Sequence, residues 1–279
     1  MVTLRKFYDE HPINETAILK NLADEGISRN KITPEDLSRF DEDHYNGLHA
    51  TDVLAERLAI KSGMNILDLC SGVGGTSRYL AYRQGVTVIG IDSNASRVEC
   101  ARDLTRLVGL EDHVTYRFGD ATKTELSDAA VDRIVSQESF MHIADREALF
   151  AECLRVLKPK GGLGYTDWTC TDLLGEEPRR KLADGMAAAR IMSAEENVSL
   201  LRAAGFTNVS AEDLSKEWRE ILGARLEMYR SMKPETVASF GEARHATYVK
   251  NYEFFVAQID AGALGGGRII AWKDQGAPR

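Results

Sequence analysis

Between residues 64 and 167 the chain alternates short apolar runs with stretches of helical period. The runs Met64–Leu69, Val86–Ile91, Val114–Phe118, Val131–Ser136 and Gly162–Asp167 are rich in branched residues and predict strands buried on both faces. Helices are expected between them, at about 75–84, 94–108 and 144–157, with the glycines of "KPKGG" ending the last. Such alternation builds a parallel sheet from strand–helix–strand units.

Upstream, "INETAILKNLADEG" sets Ile13, Ile18, Leu19 and Leu22 on one helical face, and Gly26 stops it. "TPEDLSRF" starts a second helix, with Thr33 as N-cap and Pro34 at its first position. "ATDVLAERLAIKSG" (50–63) reads as a third. After Trp168 come a helical stretch, the helical "SAEENVSLLRAAGF" and a strand in "TNVSAEDLS". Residues 216 to about 262 are mostly helical and carry Trp218, Tyr229, Tyr248, Tyr252, Phe254 and Phe255, which read chiefly as core. "GGGRIIAWKD" supplies a last strand, so the helical block is an insertion between two late strands and reads as a lid. These patterns divide the chain into an N-terminal helical cap (1–60), an α/β core (61–215), a helical lid (216–264) and a final strand with tail (265–279).

Composition narrows the ligand. A net charge of −8 disfavours a nucleic-acid backbone as partner, since phosphate binding relies on clustered Lys and Arg, and small molecules become the expected ligands. No run reaches the roughly 18 apolar residues of a membrane helix, and the start turns polar at once, so the expected location is cytoplasmic, with no membrane partner. Cys70, Cys100, Cys153 and Cys170 are widely spaced, without a C-x-x-C pair, as suits reduced thiols and no metal site.

The chemistry concentrates at strand ends. "NILDLCSGVGGTSRYL" (65–80) runs from a strand through a glycine turn into a helix, where a backbone can approach a ligand closely. A dinucleotide turn wants a third glycine; here that place is Ser77. Asp68 just before the turn would repel a pyrophosphate but suits a ligand with an ammonium group, such as S-adenosylmethionine. Asp92 ends the second strand, where a carboxylate can accept both ribose hydroxyls, and Asp120 follows the third, where it can take the adenine amino group. In "IVSQESFMHIADREALF" (134–150), Glu138 and His142 stand where an acceptor would meet the cofactor. Methyl transfer from a sulfonium is an in-line displacement, so the protein supplies alignment, desolvation and removal of a proton, for which a histidine is a fitting base.

On these residues the chain resembles the class I S-adenosylmethionine-dependent methyltransferases, whose D/E-x-G-x-G-x-G motif aligns with Asp68, Cys70, Gly72 and Gly74, Cys70 replacing the first glycine. The resemblance implies an α/β fold with a Rossmann-like seven-stranded sheet, helices on both faces and an antiparallel last strand. It also implies S-adenosyl-L-methionine as cofactor, S-adenosyl-L-homocysteine as product, no metal, and a cofactor set of Asp68, Ser71, Gly72, Gly74, Asp92, Ser93, Asp120, Ala121 and Gln137.

Within that class the chain is most similar to the phosphoethanolamine and sarcosine/dimethylglycine N-methyltransferases, through "DHYNGLHAT", "SQESFMH", "RVLKPKGGLGYTDW" and "SAEENVSLLRAAGFTNVSAEDLSKEW". The phosphobase loop S-x-D-x-x-x-H carries an amine contact and a catalytic histidine, which fall on Glu138 and His142. Trp168 takes the place of a pocket tyrosine, where an indole can stack on a methylated ammonium. The helix after the fifth strand departs: "KLADGMAAARI" has alanines where that family holds a phosphate, which argues for a substrate without one. Tyr45 is the candidate for the family's N-terminal catalytic tyrosine, with His44 beside it at the substrate. The implied reaction is N-methylation of a small amine or amino acid; an O-, S- or C-methyltransferase for a small metabolite is the alternative. Cys70 and Cys170 near strand ends leave a metalloid acceptor as a further reading.

Overall fold

A computed structural model describes residues 3–9, 11–42 and 44–275; Asp43 and the tail beyond 275 lie outside the described residues. Its centre is a seven-stranded sheet: β1 (Asn65–Leu69), β2 (Thr87–Asp92), β3 (Val114–Phe118), β4 (Val131–Gln137), β5 (Leu157–Cys170), β6 (Phe206–Asp213) and β7 (Leu264–Lys273), in the order β3-β2-β1-β4-β5-β7-β6. β1 to β5 run parallel, and β7 enters antiparallel between β5 and β6. The fold is the α/β methyltransferase arrangement expected from the sequence.

Alternation along the strands feeds two cores. Leu67, Ile89 and Ile134 face one side, and Ile66, Val88 and Val135 face the other. Helices α7 (Arg146–Val156) and α9 (Ala194–Ala204) cover the first face. The second is covered by α4 (Gly47–Arg57), α5 (Gly75–Gln84) and α6 (Ala95–Leu107). A strand buried on both faces must be apolar throughout, which is why these runs stood out in the sequence.

Two boundaries differ from expectation for physical reasons. α4 stops at Arg57 although the apolar period runs on to Ile60; Ala59 turns left-handed (φ 49°) and the Ile60 N–H closes back on the Ala55 carbonyl. Ile60 is thus the apolar residue of a Schellman-type closure, not another helical turn. α7 ends at Val156, before "KPKGG", which opens β5 as a bulge with Lys160 at φ 64°. Its second glycine, Gly162, and Gly164 let α4 approach β5, since a Cβ on Gly164 would sit 2.9 Å from Leu58.

Around this frame lie the cap and the lid. The cap consists of α1 (Leu4–Asp9), α2 (Glu15–Asp24), capped by Asn14, and α3 (Pro34–Ser38), whose Thr33 and Asp36 form a capping box. α8 (Glu176–Met186) follows β5. The lid is α10 (Ser215–Ser231), α11 (Lys233–Phe240) and α12 (Glu242–Asp260), packed around Trp168, Trp218, Leu222 and Phe255. The glycine run of β7 seats α10: a Cβ on Gly266 would fall 2.3 Å from the Trp218 ring. Gly266→Ala should therefore cost about 1–3 kcal/mol of overpacking, read as a lower urea midpoint; an unchanged midpoint would show that α10 does not rest on this strand.

Candidate active site

The ends of the parallel strands and the loops that leave them line a cavity of about 980 Å³ between sheet, cap and lid. Asp68, Ser71, Gly72, Asp92, Ser93, Asp120, Ala121 and Gln137 line one half; His44, Tyr45, Glu138, His142 and Trp168 line the other. Gly74 stands behind the wall. It is left-handed (φ 84°), and a Cβ there would meet the Tyr116 hydroxyl at 2.2 Å, so it serves packing of the turn.

The turn after β1 takes its shape from three left-handed residues, Cys70 (φ 61°), Gly72 (φ 54°) and Gly74. A non-glycine residue such as Cys70 adopts this left-handed conformation at a cost of about 1–2 kcal/mol. Gly72 N–H donates to Asp92 Oδ2 (2.8 Å) and Asn94 N–H to Asp92 Oδ1 (2.8 Å), so the second strand end clamps the turn. Ser77, in place of a third glycine, donates to Asp68 Oδ2 at 2.6 Å. Asp120 accepts from Thr122 N–H and hydroxyl, both at 2.8 Å.

Among the described residues, buried Ser71 Oγ and Gln137 Nε2 of this half have no protein partner, although Gln137 Oε1 is held by Thr51 and Thr76. Buried polar groups are normally paired, so a polar ligand fits here. Acidic strand ends for an ammonium and a ribose, together with these open donors, match S-adenosylmethionine.

In the other half, Glu138 is left-handed (φ 46°) and half-buried. It accepts from Thr166 Oγ1 (2.6 Å) and from Tyr45 N–H (2.7 Å), tying the cap to β5. His142 stands on a short helical turn, Phe140–His142. Its Nδ1 lies 3.1 Å from the Ala187 carbonyl and must carry the proton, which leaves Nε2 to accept from the Tyr8 hydroxyl at 2.9 Å. Burial holds His142 neutral, at about 4.

Tyr8 was not singled out from the sequence. It lies on the six-residue α1, which Asp9 fastens by accepting from Asn94 (3.0 Å) and Ser96 (3.2 Å), while the Arg97 guanidinium sits 4.9 Å from the Tyr8 ring. Tyr45, the tyrosine that was singled out, packs edge-on against Trp168 and Trp218. Neighbouring His44 is buried, its Nε2 within 3.2 Å of Gly47 O, Thr51 Oγ1 and Glu42 Oε2, an anchor for the loop. Trp168 is buried against Tyr45, Trp218 and Phe255 at the back of the cavity. Cys70 and Cys170 pack in separate clusters, and among the described residues no three His, Cys, Asp or Glu side chains converge as metal ligands.

Residues 67–164 match the family model of the methyltransferase domain. Phosphoethanolamine N-methyltransferase 3 of Arabidopsis thaliana is 28% identical over 225 residues, 81% of this chain and 45% of that protein. The glycine/sarcosine/dimethylglycine N-methyltransferase of Actinopolyspora halophila is 30% identical over 218 residues, 78% of this chain and 39% of that one. Thus the chain spans less than half the length of these relatives. Among solved structures, Haemonchus contortus phosphoethanolamine N-methyltransferase 2, in complex with phosphomonomethylethanolamine and S-adenosylhomocysteine, superposes over 99% of this chain and 61% of its own, with a TM-score of 0.79 and 23% identity. The chain thus carries a methyltransferase domain over residues 67–164.

Burial pushes Asp68 up to about 7 and Glu138 up to about 8, against hydrogen bonds that only partly offset it. Both groups keep a proton in the folded state that the unfolded chain releases near pH 4. Their contribution is therefore present below that pH and lost as pH rises through 7 to 8. The thermal midpoint of the ligand-free protein should fall between about pH 5 and 8. The double variant Asp68→Asn, Glu138→Gln should flatten that fall; an identical slope in the variant would contradict the assignment.

Proposed function

We propose that the chain transfers the methyl group of S-adenosylmethionine to the nitrogen of a small amine or amino acid. Asp68, Ser71, Gly72, Asp92, Ser93, Asp120, Ala121 and Gln137 hold the cofactor in this reading, which supplies an electrophilic methyl on a sulfonium. Glu138, with Trp168 and Tyr45 beside it, holds the amine. An acidic, desolvated side chain next to an aromatic wall is the environment that favours a nitrogen gaining positive charge.

The observation that carries the reading is the Tyr8–His142 hydrogen bond at the boundary between the two halves. The attacking nitrogen loses a proton to keep its neutrality after methylation. Tyr8 accepts that proton on its oxygen while passing its own to His142 Nε2, whose tautomer the Ala187 carbonyl fixes. Because burial holds His142 at about 4, the imidazolium is a strong acid that gives the proton back through Tyr8 to solvent as the products leave, and His142 is neutral between turnovers. Tyr45 enters as the backbone support of Glu138, with its ring as a wall of the acceptor side.

The test is methyl transfer from labelled S-adenosylmethionine to glycine, sarcosine, dimethylglycine, ethanolamine, phosphoethanolamine and small thiols, phenols and carboxylates, resolved by mass spectrometry. Label on an amine is the expected result. Label confined to oxygen, sulfur or carbon would replace the nitrogen reading by the alternative one. Tyr8→Phe and His142→Ala should each slow turnover by about 10²–10⁴-fold, as for loss of general base catalysis, with cofactor affinity in calorimetry nearly intact. Their double variant should be no slower than the worse single one, since the pair acts as a unit. Additive losses would separate the two residues.

A further inference from the structure

The lid turns two matched stripes toward the cavity. On α10, Arg225 and Tyr229 stand one turn apart; on α12, Arg244, Tyr248 and Tyr252 repeat the spacing, and all five line the cavity. The Tyr229 ring lies 5.2 Å from Tyr248 and 5.3 Å from Tyr252, so the stripes meet. The Arg225 guanidinium sits 4.9 Å from the Tyr45 ring and reaches the Tyr252 hydroxyl.

Arg225 differs from its neighbours on the same helix. Arg219 pairs with Asp260, and Arg230 pairs with Glu227 and Glu253. Arg225 is half-buried, and among the described residues no carboxylate forms an ion pair with it. The acidic group nearest in its field is Glu138, whose oxygens are already engaged by Thr166 and Tyr45. A guanidinium is costly to remove from water without an anion. Its planar fork matches a carboxylate or phosphate, and tyrosine hydroxyls beside it complete such a site.

We propose that Arg225 binds an anionic group of the methyl acceptor, a carboxylate or a phosphate, with Tyr229 and Tyr252 beside it. The acceptor is then a zwitterion whose anion lies against the lid and whose amine lies against Glu138. This deepens the amine reading and rests on it only for the amine end. It also moves anion recognition away from α8, where "KLADGMAAARI" offers none, to the wall formed by α10 and α12.

Acetate and inorganic phosphate, titrated into the protein loaded with S-adenosylhomocysteine, read the anion site without turnover. Arg225→Ala should weaken the binding of one or both by at least about tenfold, the scale of a lost charge-assisted hydrogen bond, and the preferred anion identifies the group. Equal affinity in variant and wild type overturns the proposal. Cofactor affinity reports folding; if Arg225→Ala loses it, Arg225→Gln provides the same comparison at conserved length. In turnover, glycine should exceed methylamine, or phosphoethanolamine exceed ethanolamine, and the variant's loss should fall in KM for the anionic member alone. Amines methylated without preference and without loss in the variant sink this proposal and leave the amine reading standing. Anion binding that depends on Arg225, with no amine methylated, does the reverse.

Discussion

A row of carboxyl groups, desolvated at one edge of a parallel sheet, is the constraint around which the rest is arranged. Asp68, Asp92 and Glu138 stand at the ends of β1, β2 and β4, and Asp167 lies near the end of β5. Of these, Asp167 has a buried partner, Arg146 at 2.9 Å. Asp68 and Glu138 are held instead by neutral donors, Ser77, Thr166 and a backbone N–H, and burial favours their protonated form. A cationic ligand at this edge would favour their ionised form, so the edge is electrostatically suited to a positively charged group.

That complementarity has force only if water is kept out, and the cap and the lid accomplish this by different means. The cap is stitched to the sheet by specific polar contacts: Asp41 to Arg78, Asp9 to Asn94, Tyr8 to His142 and Tyr45 to Glu138. Hydrophobic packing of Trp218, Leu222 and Phe255 against Trp168 and the glycines of β7 secures the lid. A loss at a cap contact therefore reaches the chemistry directly, because the same side chains line the cavity. Changes in the lid core reach it through the placement of Arg225 and the tyrosines.

Much of this was legible in the sequence because the signals were local. Doubly buried strands must be apolar, so their positions were visible, and the acidic strand ends with the glycine turn were visible as residues that the fold gathers at one cavity. "GGG" marked only a last strand in the sequence; that it seats Trp218 is a packing fact of the folded chain. Tyr8 escaped because its role depends on a contact 134 residues away, and a six-residue helix with no buried residue leaves no periodic mark. The lid aromatics, read chiefly as core, divide: Trp218 is core, whereas Tyr229, Tyr248 and Tyr252 line the cavity. The repeated Arg-x-x-x-Tyr at 225–229 and 244–248 was the available sign, since it sets an arginine and a tyrosine on one face of each helix.

The central claim is that one cavity brings the cofactor's sulfur to the boundary marked by Glu138 and the Tyr8–His142 pair. A crystal structure with S-adenosylhomocysteine bound tests it most directly. The account predicts ribose hydroxyls on Asp92, the adenine beside Asp120 and Ala121, and the sulfur facing Glu138 and Tyr8. A sulfur turned away from that pair, or a cofactor seated outside this cavity, would contradict it.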